Sequence, residues 1–434
     1  MPREAECSAH AGRDARGVQV WRATLSGFCA SLVGIGLARF AYTPLLPAIV
    51  DAHWFAPSLA AYLGAANLAG YLLGALTGRQ AAARAGVTLT LRAMMLLATV
   101  AFLACAYPLS FAWFFGWRLL AGLAGGALMV LAAPTVLQRI PASRRGLTSG
   151  VIFMGVGVGV VASGTVVPLL LQRGLPATWA GLGLLSLALT ALAWHGWPHE
   201  AAPQAAPAAP ARHRHPGATR PLRALYAEYA LNAAGWVPHM IFLVDYVTRG
   251  LGQSLQVGAA YWVLFGIGAT LGPVVAGALA DRIGFGNALR LAFVLEIGGV
   301  AIPALGLGAS WLMLSSVVVG AFVTGTVPLV LGRLHELLAH HPARRDPAWR
   351  TATAGFALCQ ALAAYGLSYV FSHHGGDYRL LFAIGTASML LALLIDLAAG
   401  LPRRDATRKP DARAGARAAA KLFFPGWRTT IDVR

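Results

Sequence analysis

The feature that most constrains the fold of this chain is a series of long apolar segments. Each is close to or above the roughly 20 residues that an α-helix needs to cross the hydrocarbon core of a bilayer. A helix also satisfies its own backbone hydrogen bonds, which lipid cannot do. The twelve segments lie at 23–48, 58–78, 87–107, 109–136, 147–171, 177–197, 222–248, 256–280, 287–307, 310–337, 351–373 and 378–400. The sequence therefore predicts an all-α polytopic membrane protein with twelve transmembrane helices.

Composition excludes several other classes of protein. The chain is 57% hydrophobic and 12% charged, whereas soluble domains carry about 25% charged residues. It contains no P-loop, which argues against an ATP-driven pump. His335 and His340 are five positions apart, so they diverge around a helix and do not form a zinc-protease pair. We find no catalytic constellation, and we predict that the protein is not an enzyme and holds no cofactor or metal.

The basic residues alternate with the apolar segments. Of the 34 Lys and Arg residues, 29 fall in segments 1–22, 79–92, 139–145, 212–223, 282–290, 333–350 and 403–434. Only Arg173, Arg249 and Arg379 fall in the intervening loops. This positive-inside pattern predicts a bacterial-type inner (plasma) membrane protein with both termini in the cytoplasm. The formal charge of +18 is spread over every cytoplasmic connection, so we expect the bilayer as a partner and no nucleic acid.

The segments divide into two halves of six. The predicted divisions are a cytoplasmic N-terminal segment, a six-helix bundle, a Pro/Ala/His linker, a second six-helix bundle and a basic cytoplasmic tail, at 1–22, 23–197, 198–221, 222–400 and 401–434. Residues 74–79 and 277–282 are similar, and so are 134–139 and 328–333. Such echoes at equivalent places indicate two six-helix pseudo-repeats, a design of many secondary transporters.

A motif on a predicted cytoplasmic turn resembles a signature of the major facilitator superfamily. It consists of Gly277, Asp281, Arg282 and Gly284. In the fourth segment Arg118 and Gly122 resemble a second signature, and the first two segments are similar to the YbfB/YjiJ-like branch. The resemblance implies the major facilitator fold, transport by alternating access, and a cytoplasmic gate at Asp281 and Arg282. Gly78 stands where the family usually has an acidic residue, so the acidic gate residue is kept only at Asp281.

The first segment contains a charge. A cation at mid-helix costs roughly 2.5–3.5 kcal/mol on insertion scales, so Arg39 is either functional or extends to the outer interface. Tyr42 follows one helical turn later on the same face. We expect Pro44 and Pro47 to end or bend the helix just after this patch.

Other polar residues in the first half have two interpretations each. Asn67 and Tyr71 share a face of the second segment with Gly70 and Gly74, where they either contact substrate or pack against a helix. Arg118 lies near the middle of the fourth segment. It is either a fixed cation for substrate or coupling, or a buried group paired with a helix carbonyl or an acid.

The seventh segment has a polar stripe. Glu228, Asn232 and His239 follow one face, which should line a wet cavity or meet partner helices. Glu228 could instead be an interfacial charge at the helix end. His239 is the preferred proton carrier, since histidine titrates near physiological pH. Glu296 in the ninth segment is either a coupling site or a packed, protonated acid, and Gln360 in the eleventh is a candidate lining residue.

These residues predict a secondary transporter of a small organic solute. Two fixed cations, Arg39 and Arg118, favour a carboxylate-type anion. The proton is the expected coupling ion, with His239, Glu228 or Glu296 as its carrier, and we expect a monomer. The alternatives are a proton-driven exporter of apolar compounds and a membrane sensor of the same fold that does not transport.

Overall fold

The computed structural model describes residues 19–138, 140, 145–197 and 220–400. Most of the N-terminal segment, nearly all of the linker and the predicted basic tail lie outside these residues. The helices are α1 (19–31), α2 (Tyr42–Asp51), α3 (Pro57–Ala85), α4 (Val87–Cys105), α5 (Phe111–Leu137), α6 (Arg145–Leu171), α7 (Leu175–Ala193), α8 (Arg220–Gly235), α9 (Val237–Asp245), α10 (Leu255–Ile283), α11 (Phe285–Leu305), α12 (Ala309–Leu337), α13 (Arg345–His373) and α14 (Tyr378–Gly400).

The described residues contain eleven helices that are long and apolar enough to span a membrane. The first of these, Gln19–Asp51, combines α1, a π-helical segment and α2. The one remaining predicted span, the seventh at 222–248, consists of α8, α9 and a π-helical turn, Tyr246–Gly250. The prediction of an all-helical, polytopic membrane fold is confirmed.

The first span is broken near its middle. Its backbone follows a π-helix over Leu32–Leu37, and residues 38–41 form turns before α2 begins at Tyr42. Glycine lowers helix propensity by about 1 kcal/mol relative to alanine, and this segment holds Gly34 and Gly36. A Cβ atom at Gly36 would lie 2.7 Å from the Cα of Gly159 in α6. The break therefore accompanies a close backbone contact between two helices.

The first span breaks before Tyr42, and not after Pro44 or Pro47 as the sequence predicted. Pro44 and Pro47 do not end the helix; both lie within α2, which continues to Asp51. Pro44 occupies the first turn, where backbone N–H groups have no helical partner and proline is tolerated. Consequently Tyr42 does not continue the same regular helix as Arg39.

The seventh span is broken at the equivalent place in the second half. Trp236 separates α8 from α9 with φ −95° and ψ 0°, outside the helical region. Pro238 follows two residues later and cannot donate the hydrogen bond that a continuous helix requires. Every residue of α9 is buried. The two halves thus each contain one interrupted span in corresponding positions, a feature of transporter binding sites.

Helix pairs in the two halves pack in the same manner. A Cβ atom at Gly70 or Gly74 of α3 would collide with backbone carbonyls of α5. In the second half, a Cβ atom at Gly268 or Gly272 of α10 would collide with backbone carbonyls of α12. Small residues allow this close approach of helices in membranes. The close contact between the second and fourth spans is therefore repeated in each half, as pseudo-repeats require.

The contacts between the two halves include three on their interrupted and neighbouring spans. The hydroxyl of Thr43 in α2 donates to the carbonyl of Met240 in α9. We call this contact the α2–α9 seam; the charge pattern predicts that it faces the outer side. Gly157 of α6 packs against Thr270 of α10. The rings of Tyr62 in α3 and Tyr365 in α13 lie 6.2 Å apart.

Candidate functional site

Arg39 lies inside the protein at the α2–α9 seam. Its side chain is 8% exposed. The guanidinium carbon lies 5.2 Å from the ring centre of Phe40 and 5.3 Å from those of Tyr71 and Trp236. Nε and Nη2 lie 3.2 and 3.1 Å from the sulfur of Met240. Arg39 therefore contacts residues of both halves and does not extend to the membrane interface.

This guanidinium has no carboxylate partner among the described residues. The ion pairs there involve Arg249, Arg290 and Arg333 instead. Thioether sulfur is only a weak hydrogen-bond acceptor. Each cation–π contact contributes about 0.5–2 kcal/mol, whereas an unpaired buried charge costs several kcal/mol. The surrounding rings offset part of that cost and leave the guanidinium able to bind an anion.

Two further buried groups lack hydrogen-bond partners among the described residues, and one of them lies beside Arg39. The indole Nε1 of Trp236 has none among the described residues, although its ring flanks the guanidinium. The ring of Phe356 in α13 lies 6.2 Å from that of Trp236. One helical turn beyond Phe356, the amide of Gln360 is 1% exposed with both its oxygen and nitrogen unpaired. Unpaired buried polar groups are costly, so this region is suited to a polar ligand.

Arg118 has a different environment from Arg39. Its Nη1 donates to the carbonyl of Ala38 over 2.8 Å, and its guanidinium carbon lies 4.4 Å from the centre of the Tyr42 ring. The amide of Asn67 also donates to the carbonyl of Ala38, over 3.3 Å. Both side chains thus bind backbone at the break in the first span. Their geometry matches the structural interpretation given above for Arg118, pairing with a helix carbonyl.

His239 points into the second half of the protein, away from Arg39. Its side chain is fully buried, and Nε2 lies 2.8 Å from the hydroxyl of Ser315 in α12. That hydroxyl donates to the carbonyl of Gly299 in α11 over 2.6 Å. Because the serine proton is used there, Ser315 accepts from His239, and Nε2 carries the imidazole proton. Nδ1 has no partner among the described residues.

A second polar pair joins α8, which precedes the break at Trp236, to α11. The amide of Asn232 donates to Oε2 of Glu296 in α11 over 2.6 Å. Oε1 of Glu296 and Oε2 of Glu228 have no partner among the described residues, and both side chains are buried. The polar stripe of the seventh span therefore faces α11 and α12, and Glu296 belongs to the same cluster.

The predicted gate pair lies at the end of α10. Asp281 and Arg282 are both exposed, and neither takes part in the ion pairs found among the described residues. The neighbouring turn is held by Glu336 of α12, whose carboxylate accepts from the backbone N–H of Phe285 and from Arg333. The gate role of Asp281 and Arg282 stays a prediction.

Sequence reasoning missed three residues of this region. Trp236 and Met240 contact Arg39 across the two halves, and nothing local in the sequence marks them. Asp245 is a fully buried carboxylate at the end of α9. An acidic residue within an apolar span is a signal of function in itself, and the sequence analysis overlooked it.

Comparison with known proteins identifies the family. Residues 31–397 match the sequence profile described as "Uncharacterised MFS-type transporter YbfB". The chain belongs to this major facilitator family. A gallate transporter from Pseudomonas putida is 30% identical over 301 residues, covering 60% of this chain and 65% of that protein. The chain thus matches less than two thirds of the length of that relative.

Solved transporters share the fold of this YbfB-like chain. A single-residue mutant of the nucleoside transporter NupG superposes with a TM-score of 0.71 at 15% identity, covering 87% of this chain and 100% of that one. The xylose transporter XylE from E. coli, in a partially occluded inward-open conformation, gives 0.66 at 13% identity, covering 88% and 100%. The predicted major facilitator fold is confirmed. The family consists of transporters and not of enzymes.

Proposed function

We propose that this protein is a secondary transporter that moves a small organic carboxylate together with a proton. The observation that carries the proposal is the buried guanidinium of Arg39, which has rings and a sulfur atom as neighbours and no acid among the described residues. A carboxylate would supply the missing charge and accept two parallel hydrogen bonds from the guanidinium.

The aromatic surroundings favour a carboxylate on a ring. Tyr71 and Trp236 flank the guanidinium, and aromatic rings stack with one another favourably. Trp236 Nε1 and the amide of Gln360 would hydrogen-bond a carboxylate oxygen or ring hydroxyls. The relative from P. putida is described as a gallate transporter, and gallate is a hydroxylated aromatic acid of this kind. Hydroxybenzoates are therefore the first substrates to test.

Coupling to the proton would use another side of α9, about 100° around the helix from Met240. Met240 contacts Arg39, while the adjacent residue His239 bonds Ser315 within the second half. A proton on Nδ1 of His239, or on Glu228 or Glu296, would change the packing of α8 and α9 against α11 and α12. That change would alter the α2–α9 seam and hence access to Arg39. Asn232 would hold Glu296 in position through its amide.

The charge pattern favours one orientation in the membrane, and the two interrupted spans favour an alternating-access cycle. Both termini would lie in the cytoplasm of a bacterial-type inner membrane. The halves would move against each other, with the α2–α9 seam closed in one state and open in the other. Asp281 and Arg282 would hold the cytoplasmic helix ends together when the seam opens. The protein would function as a monomer.

The decisive experiment uses proteoliposomes with an internal pH dye. Hydroxybenzoate added outside should acidify the lumen. Arg39→Gln should weaken apparent affinity at least about 30-fold, because truncating one partner of a buried charged pair costs about 2 kcal/mol or more. Trp236→Phe, which keeps an aromatic ring and removes the N–H, should weaken it about tenfold. Arg79→Gln, at an exposed cation of α3, is the matched control.

Other results would identify a different function. Binding of bulky apolar dyes, with no response to carboxylates, would favour proton-driven export of apolar compounds. Carboxylate binding without flux would favour a sensor. Equal uptake by the wild type and Arg39→Gln would reject the proposed site.

A further inference from the structure

Met240 occupies one edge of the Arg39 guanidinium. Its sulfur lies 3.2 Å from Nε and 3.1 Å from Nη2 of Arg39, within hydrogen-bonding reach of both. These two N–H groups lie side by side in the guanidinium plane and form the kind of edge that binds a carboxylate through two parallel hydrogen bonds. The thioether of α9 therefore lies where the carboxylate of a substrate would bind.

The sulfur is a weak occupant of this position. Thioether sulfur accepts hydrogen bonds weakly, whereas hydrogen bonds between ionised partners are shorter and about twice as strong as neutral ones. An acidic residue at this position of α9 would neutralise Arg39 permanently. A purely aliphatic residue would leave both N–H groups without an acceptor whenever the site is empty. The thioether bonds these groups in the empty site and can be replaced there by a carboxylate.

The side chain of Met240 can move while its backbone stays in place. The residue lies within α9, and its carbonyl accepts a hydrogen bond from the hydroxyl of Thr43 in α2. Methionine is unbranched and has three rotatable side-chain bonds, so it adapts to irregular spaces. Release of the sulfur from Arg39 therefore needs a change of rotamer and no change in the helix.

We propose that Met240 is a built-in competitor for the anion site on Arg39. Its sulfur bonds Nε and Nη2 when the site is empty and gives them up to the carboxylate of the substrate. The exchange lowers the affinity for substrate, because each carboxylate that binds must displace the sulfur. It also favours release, because the sulfur returns to the guanidinium as the carboxylate leaves. This role rests on the proposed function for the identity of the ligand.

Two substitutions of Met240 should change affinity in opposite directions. Met240→Leu nearly keeps the side-chain volume and removes the sulfur, so benzoate should bind about two- to tenfold more tightly, the range for loss of one competing hydrogen bond. Met240→Gln places an amide oxygen, a stronger acceptor, within reach of Arg39 and should weaken binding. Titration calorimetry of the full chain in detergent measures both without transport.

The effect of Met240→Leu should require Arg39. In the Arg39→Gln background, Met240→Leu should change the affinity for benzoate by less than about twofold, since the sulfur then has no guanidinium to compete for. A role of Met240 in packing alone would give the same change in both backgrounds. Met95→Leu is the matched control: Met95 of α4 is buried in a separate apolar cluster, and this variant should bind benzoate like the wild type.

NMR of isotope-labelled methionine methyl groups tests the displacement directly. The Met240 signal, assigned by its absence in Met240→Leu, should shift on saturation with benzoate. Benzamide, the uncharged analogue, should leave it in place at the same concentration. In Arg39→Gln the signal should differ from that of the wild type without any ligand, because the sulfur has lost its partner, and benzoate at that concentration should not move it further.

Two results would overturn the competitor. One is unchanged or weaker binding of benzoate by Met240→Leu. The other is binding of benzoate to the wild type, seen by calorimetry, with no change in the Met240 signal. Either result leaves the carboxylate proposal standing. Failure of the wild type and Met240→Leu alike to bind benzoate or any hydroxybenzoate would instead reject the carboxylate site, and the competitor with it.

Discussion

At the scale of single residues, the two buried arginines of the first half should respond differently to substitution. Arg118 binds the carbonyl of Ala38, and hydrogen bonds to charged groups contribute about 1.5–3 kcal/mol. Arg118→Gln should therefore lower the free energy of unfolding by about 2 kcal/mol. Arg39→Gln should lower it less, because both substitutions remove a buried charge without a carboxylate partner among the described residues, but Arg39 loses only weak bonds to a thioether sulfur. Thermal unfolding in detergent measures both, and an equal loss for the two variants would contradict the distinction.

His239 provides the second prediction at this scale. Its Nε2 bonds Ser315 and its Nδ1 has no partner among the described residues, so Nδ1 is the atom that would take up the proton in the proposed cycle. In His239→Gln, exchange of substrate across the membrane at equal pH should persist, whereas accumulation driven by a pH gradient should be abolished. The exposed His341 lies outside the spans, and His341→Gln should behave as the wild type. Retained pH-driven accumulation in His239→Gln would remove it as the proton carrier.

At the scale of helices, the contact between the first span and α6 depends on the absence of side chains. A Cβ atom at Gly159 would lie 2.5 Å from the Cα of Gly36, whereas one at Gly150 of the same helix meets nothing within 4 Å. Gly159→Ala should destabilise the protein by about 1–3 kcal/mol, as overpacking does. Gly150→Ala should be neutral or stabilising, because alanine favours helix. Matched thermal unfolding curves distinguish the two, and equal curves would show that the break tolerates a wider contact.

The helices also show how far sequence reasoning extends in this chain. Hydropathy and charge located the spans, since both depend on local composition. The break before α2 was misplaced because Pro44 fits a first helical turn, while the deciding contact is with Gly159, far away in the chain. Pro238 is a sequence signal for the second break, but the seventh segment was predicted as one continuous helix. Arg39 was recognised as unusual, but its neighbours Trp236 and Met240 come from the other half.

At the scale of the whole molecule, substrate and proton are expected to act on different sides of one short helix. Met240 of α9 contacts Arg39 and Thr43, while His239 contacts Ser315. No shared hydrogen bond joins the two sites in the described residues. Coupling would therefore arise from movement of α9, whose position both sites bias, and not from a direct contact between substrate and proton.

The predicted gate at the opposite end of the spans should bias this movement in the other direction. Asp281 and Arg282 are exposed where the α2–α9 seam is closed, so the gate is expected to form only when the seam opens. Asp281→Asn should then reduce transport about two- to five-fold, the effect of losing one exposed ion pair, while the protein stays folded. Uptake of hydroxybenzoate at the wild-type rate by this variant would remove the gate role.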